Sequence, residues 1–213
     1  MSNIWFTSDL HLSHDKAFLW EPRGFKNEHE MNEAIVENWN KVVKPEDTVY
    51  NLGDIALSDM KDAAKYLRQL NGKHFWIYGN HDTTKKIDYF SDEIDNLYMI
   101  GYAWVLKYDK KYSLYMSHYP TLTSNYDDKK FSQHVINLHG HTHQQTNWLQ
   151  PDNAFMYHVG VDSHNYTPVH IDEVITDIRN RWNQFSNLYS KYKEDTYPYT
   201  GADLRLTFEG DME

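Results

Sequence analysis

The sequence predicts an α/β fold, a four-layer α/β/β/α sandwich of two packed mixed sheets flanked by helices, with a C-terminal helical extension. Three observations lead there. Up to about Tyr78, short apolar strands alternate with amphipathic helices, the rhythm of a parallel sheet with helices on its faces. After about Tyr98 the pattern changes to strands joined by loops, which brings in antiparallel pairing. From Ile175 a largely aromatic stripe at helical spacing runs to Tyr192.

The elements follow in order. Ile4-Trp5-Phe6-Thr7 reads as the first strand. Glu28 to Val43 reads as a helix, with Met31, Ala34, Ile35, Asn38 and Trp39 on one face. Lys44-Pro45-Glu46-Asp47 breaks it, and Thr48-Val49-Tyr50-Asn51 makes a second strand. Asp59 to Leu70 is a second helix with Ala63, Ala64, Leu67 and Leu70 inward, stopped by Asn71-Gly72. His74 to Tyr78 is the third strand. Tyr102 to Leu106, Tyr112 to Met116, Val135 to Leu138 and Phe155 to Val159 are further strands, with a hairpin at Tyr108-Asp109-Lys110-Lys111. Ile175 to Tyr192 is a helix whose stripe is Ile175, Ile178, Trp182, Phe185, Tyr189 and Tyr192. The tail beyond it reads as loop, with one strand near Leu204 to Phe208. The expected division is a domain over residues 1–176, and a helix and tail over 177–213 that packs on the domain or on a partner.

Composition narrows the chemistry. A chain of 213 residues suits one domain with a sizeable core. The absence of cysteine excludes disulfides, thiolate metal sites and thiol nucleophiles. Thirteen histidines then point to imidazole and carboxylate metal ligands, a set that suits manganese, iron, zinc or nickel. A net charge of −10 argues against coating nucleic acid. The N-terminus lacks a signal-peptide pattern and no apolar run is long enough to cross a bilayer, so a cytoplasmic protein is expected.

The chemistry-bearing residues stand after strands. Asp9 and His11 follow the first, Gly53-Asp54 the second, and Gly79-Asn80-His81-Asp82 the third. Ser117-His118 and Gly140-His141-Thr142-His143 end two later strands. Ligand sites of open α/β sheets gather at the carboxyl ends of strands. Each segment alone has an ordinary explanation as a turn, an exposed loop or a core histidine. The ordered set does not.

DxH, GD, GNHD, SH and GHTH in that order resemble the five motifs of the calcineurin-like metallophosphoesterase superfamily, from about Ile4 to Val174. Thr7 to His14, Met31-Asn32-Glu33 with Trp39-Asn40, Val43-Lys44-Pro45 with Asp47 to Tyr50, and Val159 to Asp162 with Tyr166 to Val169 are similar to its small, stand-alone bacterial and phage members.

The resemblance implies a dinuclear centre. Asp9, His11 and His143 would hold one metal, Asn80, His118 and His141 the other, and Asp54 would bridge both. A hydroxide bridging two divalent ions, roughly 3.5–4 Å apart, would attack phosphorus in line. Manganese is the first expectation, with iron, zinc or nickel as alternatives. His81 is expected to protonate the leaving oxygen, with Asp82 orienting it or a backbone turn. His14 is expected to face substrate. Arg23 reads either as a phosphate fork or as a surface arginine.

The expected activity is hydrolysis of a phosphomonoester or phosphodiester in a small or nucleotide-like substrate. The alternative is a metal-dependent nuclease, with Trp20 or Tyr126 stacking bases. A non-catalytic interaction module ranks below both, because every ligand position is filled. Gly53-Asp54-Ile55-Ala56-Leu57 lacks the further aspartate and arginine of the Ser/Thr protein phosphatases, which disfavours that activity. The C-terminal helix offers a surface for homo-oligomer formation.

Overall fold

The structure, a computed structural model, describes residues 2–57, 59–121, 123, 134–149 and 153–193, with side chains as far as 184 in the last helix. Its elements are β1 (Ile4–Thr7), α1 (Ala17–Trp20), α2 (Glu28–Val42), β2 (Thr48–Asn51), α3 (Met60–Leu67), β3 (Lys73–Ile77), α4 (Thr84–Glu93) and β4 (Leu97–Gly101). There follow β5 (Ala103–Tyr108), β6 (Tyr112–Ser117), β7 (Val135–His139), β8 (Met156–His158), a 3-10 turn (Val161–Ser163), β9 (Val169–His170) and α5 (Ile171–Lys193).

Two mixed sheets flanked by helices result, as expected. One has strand order β4-β3-β2-β1-β9 and the other β5-β6-β7-β8. In the first, β1 to β4 run parallel and β9 antiparallel to β1. In the second, only β5 and β6 are antiparallel, through the hairpin in which Asp109 and Lys110 both have positive φ. Strands β1, β2 and β3 therefore end side by side, and so do β6, β7 and β8.

Capping and burial fix the helices. Asn27 caps α2 by accepting from Glu30 N–H, and Asp59 caps α3 by accepting from Lys61 and Asp62 N–H. The buried face of α2 is Met31, Asn32, Ile35, Val36 and Trp39. Asn32 and Val36 take the places expected for Ala34 and Asn38, because Asn32 accepts the Ser13 N–H inside the fold. With Ala63, Ala64, Leu67, Trp76 and Phe90 this face forms a helix-side core. A second core lies between the sheets and contains Phe6, Leu52, Ile77, Leu114, Met116, Ile136, Leu138 and Tyr157.

Several elements differ from expectation, the short α1 and β9 among them. α4 and β4 were not foreseen: α4 buries only Phe90, and β4 is an edge strand without apolar alternation. α5 begins at Ile171, so the division at 176/177 falls inside one helix. Its Val174, Ile175 and Ile178 belong to the inter-sheet core, and Trp182 packs on His134 and Phe155. Those side chains are spent within the protomer, whereas the side chains of Phe185, Tyr189 and Tyr192 are not described and the tail strand lies outside the described residues. Among the described residues no helix is long and apolar enough to cross a membrane.

Candidate metal centre

The parallel strand ends bring the chemistry together. Asp9 and His11 leave β1, Asp54 leaves β2, Asn80 and His81 leave β3, His118 leaves β6, and His141 and His143 leave β7. Backbone bonds lock these turns to one another: Asp9 N–H donates to Gly53 O, His11 N–H to Asp54 O, and Gly140 N–H to His118 O.

The backbone here is strained. Asp9, His11, Asp54, His141 and His143 all have positive φ, a region costly for residues with a Cβ. Such residues cluster at functional sites, at about 1–3 kcal/mol each. Two glycines permit the close approach. A Cβ at Gly79 would stand 2.2 Å from Asp54 Oδ1, and one at Gly140 would stand 2.5 Å from Asp9 Oδ2.

Donor atoms converge in two overlapping groups, Asp9 with His11 and His143, and Asp9 with Asp54 and His118. His11 Nε2 lies 3.1 Å from His143 Nε2 and 3.7 Å from Asp54 Oδ2. Asp54 Oδ2 is also 3.4 Å from His118 Nε2, while its Oδ1 accepts the His81 N–H. Asn80 Oδ1 stands 2.8 Å from both His118 Nε2 and His141 Nδ1. All seven expected ligands are thus in one place.

Electrostatics favour a cation there. Asp9 is fully buried, and burial raises its pKa beyond what His143, His118 and Ser8 offset. Burial also pushes Asp54 upward, but His118 and the His81 N–H outweigh it and hold the carboxyl down to about 2. Burial drives the His11 imidazole well below its usual range, against the pull of Asp54. Among the described residues, the ion pairs of Asp9 and Asp54 are with histidines alone. Two buried carboxylates among imidazoles, with no lysine or arginine paired to those carboxylates among the described residues, form a donor set that fits divalent cations.

The remaining expected residues fall variously. His81 is exposed, its ring centroid 5.6 Å from that of His11. His14 is buried beside His11 and accepts the Lys16 N–H at Nδ1, so its proton sits on Nε2. Asp82 orients backbone and not His81: its Oδ2 accepts from Asp54 N–H, Gly79 N–H and the Trp76 indole. Arg23 corrects both of its readings. It is 6% exposed, and its fork is taken by Asp162, so it is neither a surface residue nor free to bind phosphate. Trp20 packs into the helix-side core, not at the mouth, and Tyr126 lies outside the described residues.

Two features escaped the sequence reading. Asp162 Oδ2 contacts His143 Nδ1 at 3.0 Å, from 19 residues away. Its stretch, Val159 to Asp162, stood out as a motif, but nothing local gave it a partner. The other is an aromatic rim. Phe18, 72% exposed, meets His14 edge-on, and Tyr119, 52% exposed, meets His141 and His118.

The chain is similar to known proteins. An uncharacterized protein of Methanocaldococcus jannaschii is 31% identical over 82% of this chain and 90% of its own length. The Gene 66 protein of Mycobacterium phage D29 is 30% identical over 84% of this chain and 98% of its own. A crystal structure of a protein of unknown function from Aquifex aeolicus superposes with a TM-score of 0.60 at 23% identity, over 83% of this chain and 99% of that one, and so shares the fold. The family model for calcineurin-like phosphoesterases matches residues 2–201. With its strand-end cluster of candidate metal-binding residues, the chain belongs to the calcineurin-like phosphoesterase family, whose members hydrolyse phosphoesters with divalent metals.

Proposed function

We propose that the protein hydrolyses a phosphomonoester or phosphodiester of a small or nucleotide-like substrate, using two divalent ions, manganese first among the candidates. Asp9, His11 and His143 would hold one ion, Asn80, His118 and His141 the other, and Asp54 would be shared. The observation that supports this best is the position of Asp54. Its Oδ2 lies between His11 and His118, one from each ligand group, while the His81 N–H fixes its Oδ1. Bound there, the ions would polarise the phosphoryl oxygens and lower the pKa of water.

The side chains supply the rest. Asp9 and Asp54 balance cationic charge, and the imidazoles add affinity without excess negative charge. Asn80 Oδ1 contributes a neutral oxygen beside His118 and His141. His81, exposed at the mouth, gives a proton to the leaving oxygen. His14 offers its Nε2–H to a phosphoryl oxygen. Phe18 and Tyr119 supply apolar rims on the two sides, suited to an aryl group or a base. The charge of −10 favours a small substrate over a long polyanion. The protein is read as cytoplasmic.

The test is an assay with manganese on aryl phosphate monoesters and diesters and on a short single-stranded oligonucleotide, beside Asp54→Asn. Metal-dependent hydrolysis of the small esters, lost in Asp54→Asn, is expected. Inertness with every divalent metal, or full activity in Asp54→Asn, would overturn the reading. Faster cleavage of the oligonucleotide would replace it with a nuclease.

A further inference from the structure

Arg23 and Asp162 are buried together at 6% and 8% exposure. Arg23 Nε donates to Asp162 Oδ1 at 2.8 Å and Nη2 to Oδ2 at 2.9 Å, a two-pronged pair. The other donors are used as well. Nη2 also donates to Asp9 O at 2.9 Å, and Nη1 donates to Leu10 O at 3.3 Å and meets Met31 Sδ. The Tyr166 hydroxyl donates to Arg23 O and fixes its backbone. One guanidinium thus ties the left-handed turn of Asp9 to the 3-10 turn after β8.

A buried ion pair is a poor source of stability, since apolar replacements are often as stable. Its contacts suggest a different role. His143 Nδ1 lies 3.0 Å from Asp162 Oδ2 but 3.4 Å from Arg23 Nη2. If Nδ1 carries a proton, it donates to Asp162. If it is bare, it accepts from Arg23. The shorter, charge-assisted contact selects the first tautomer. The bare lone pair then sits on Nε2, the nitrogen that faces His11 Nε2 at 3.1 Å and Asp9 Oδ1 at 3.7 Å.

The geometry points to Arg23 and Asp162 as positioning residues for the Asp9–His11–His143 group: Asp162 sets the tautomer of His143, and Arg23 orients Asp162 and pins the Asp9-Leu10 backbone. This rests on the reading of that group as a metal site. Neither residue touches substrate. Without Asp162, the Arg23 Nη2 hydrogen freed from Oδ2 would have His143 Nδ1, 3.4 Å away, as an acceptor beside the Asp9 O it already serves, which favours the proton on Nε2 and closes that nitrogen to an ion. Outer partners of this kind are worth about 10–100-fold in metal affinity.

The experiment uses the full chain, stripped of metal, as wild type, Asp162→Asn and the double variant Arg23→Met/Asp162→Leu. The double variant removes both charges together, so it leaves no unpaired buried ion. The His143 tautomer is read from long-range 15N–1H spectra of the metal-free protein, and manganese binding by calorimetry. Wild type is expected to show the Nδ1–H tautomer. Both variants should lose it and bind one manganese about 10–100-fold more weakly, with the second little changed. An unchanged tautomer and unchanged binding in either folded variant would overturn the inference. So would equal weakening of both ions, which marks a general structural role. If wild type binds no manganese, the metal reading fails, and the tautomer of the metal-free protein still decides whether Asp162 orients His143.

Discussion

The two halves of the cage are held by different means. Asp9 and His143 lean on a buried network, in which Arg23 grips the Asp9 backbone and Asp162 grips His143, while His11 is held through its backbone N–H on Asp54 O. Asn80, His118 and His141 close on one another, with Asn80 Oδ1 at 2.8 Å from each imidazole and His118 Nδ1 bonded to Leu52 O. The first half is oriented from behind by side chains distant in sequence. The second is oriented by the strand ends that deliver it, and Asn80 remains exposed. The difference teaches that one cage can be half preorganised by an outer network and half by its own mutual contacts.

On the proposed reading Asp54 belongs to both halves, so its replacement is expected to give the largest effect. Asp54→Asn keeps the shape and removes the charge, and activity should fall by about 10³-fold or more, with both ions weakened. Retention of one tight ion would show that Asp54 serves a single half. Next come variants that separate the halves. His143→Ala and His118→Ala should each leave one ion bound per chain by elemental analysis, with kcat reduced about 10²–10³-fold. Loss of both ions in either variant would break the comparison.

A smaller effect is expected outside the cage. His81→Ala should lower kcat about 10²-fold for esters with poor leaving groups, and much less for activated aryl esters that need no acid. Equal losses on both would remove His81 from the proton-transfer role.

The smallest effect on catalysis, none at neutral pH, comes from the helix side. His74 is buried, stacked on Trp39 with its Nε2 beside Leu70 O, and burial lowers its pKa to about 4. The unfolded chain binds that proton at about 6.5, so between those values the unfolded state holds more protons. Stability is therefore full above about pH 6.5 and falls as pH drops toward 4, by up to about 3 kcal/mol. Urea titrations of wild type and His74→Phe at pH 7 and 4.5 should show a smaller acid loss in the variant. Equal losses would place the acid sensitivity elsewhere.

Much of this was legible in the sequence. The candidate ligands each follow an apolar strand within a few residues, and it was their ordered set, with the family resemblance it carries, that singled out Asp9, His11, Asp54, Asn80, His118, His141 and His143, which the structure brings together. Strands β1, β2 and β3 were equally plain. What was missed depends on distant partners. Arg23 read as either a phosphate fork or a surface arginine because nothing near it in sequence points to its real partner, which stands 139 positions away. α4 hid because Thr84 to Glu93 buries one side chain and makes no apolar stripe. The inward face of α2 was rotated because Asn32, polar and buried, serves Ser13 and looks in sequence like a surface residue.

On the proposed reading both halves hold an ion and share Asp54. Anomalous diffraction from manganese-soaked crystals of the full chain tests it most directly. Two peaks about 3.5–4 Å apart are expected, one against Asp9, His11 and His143, the other against Asn80, His118 and His141, with Asp54 touching both. A single peak at full manganese occupancy, or two peaks with Asp54 touching only one, would contradict it.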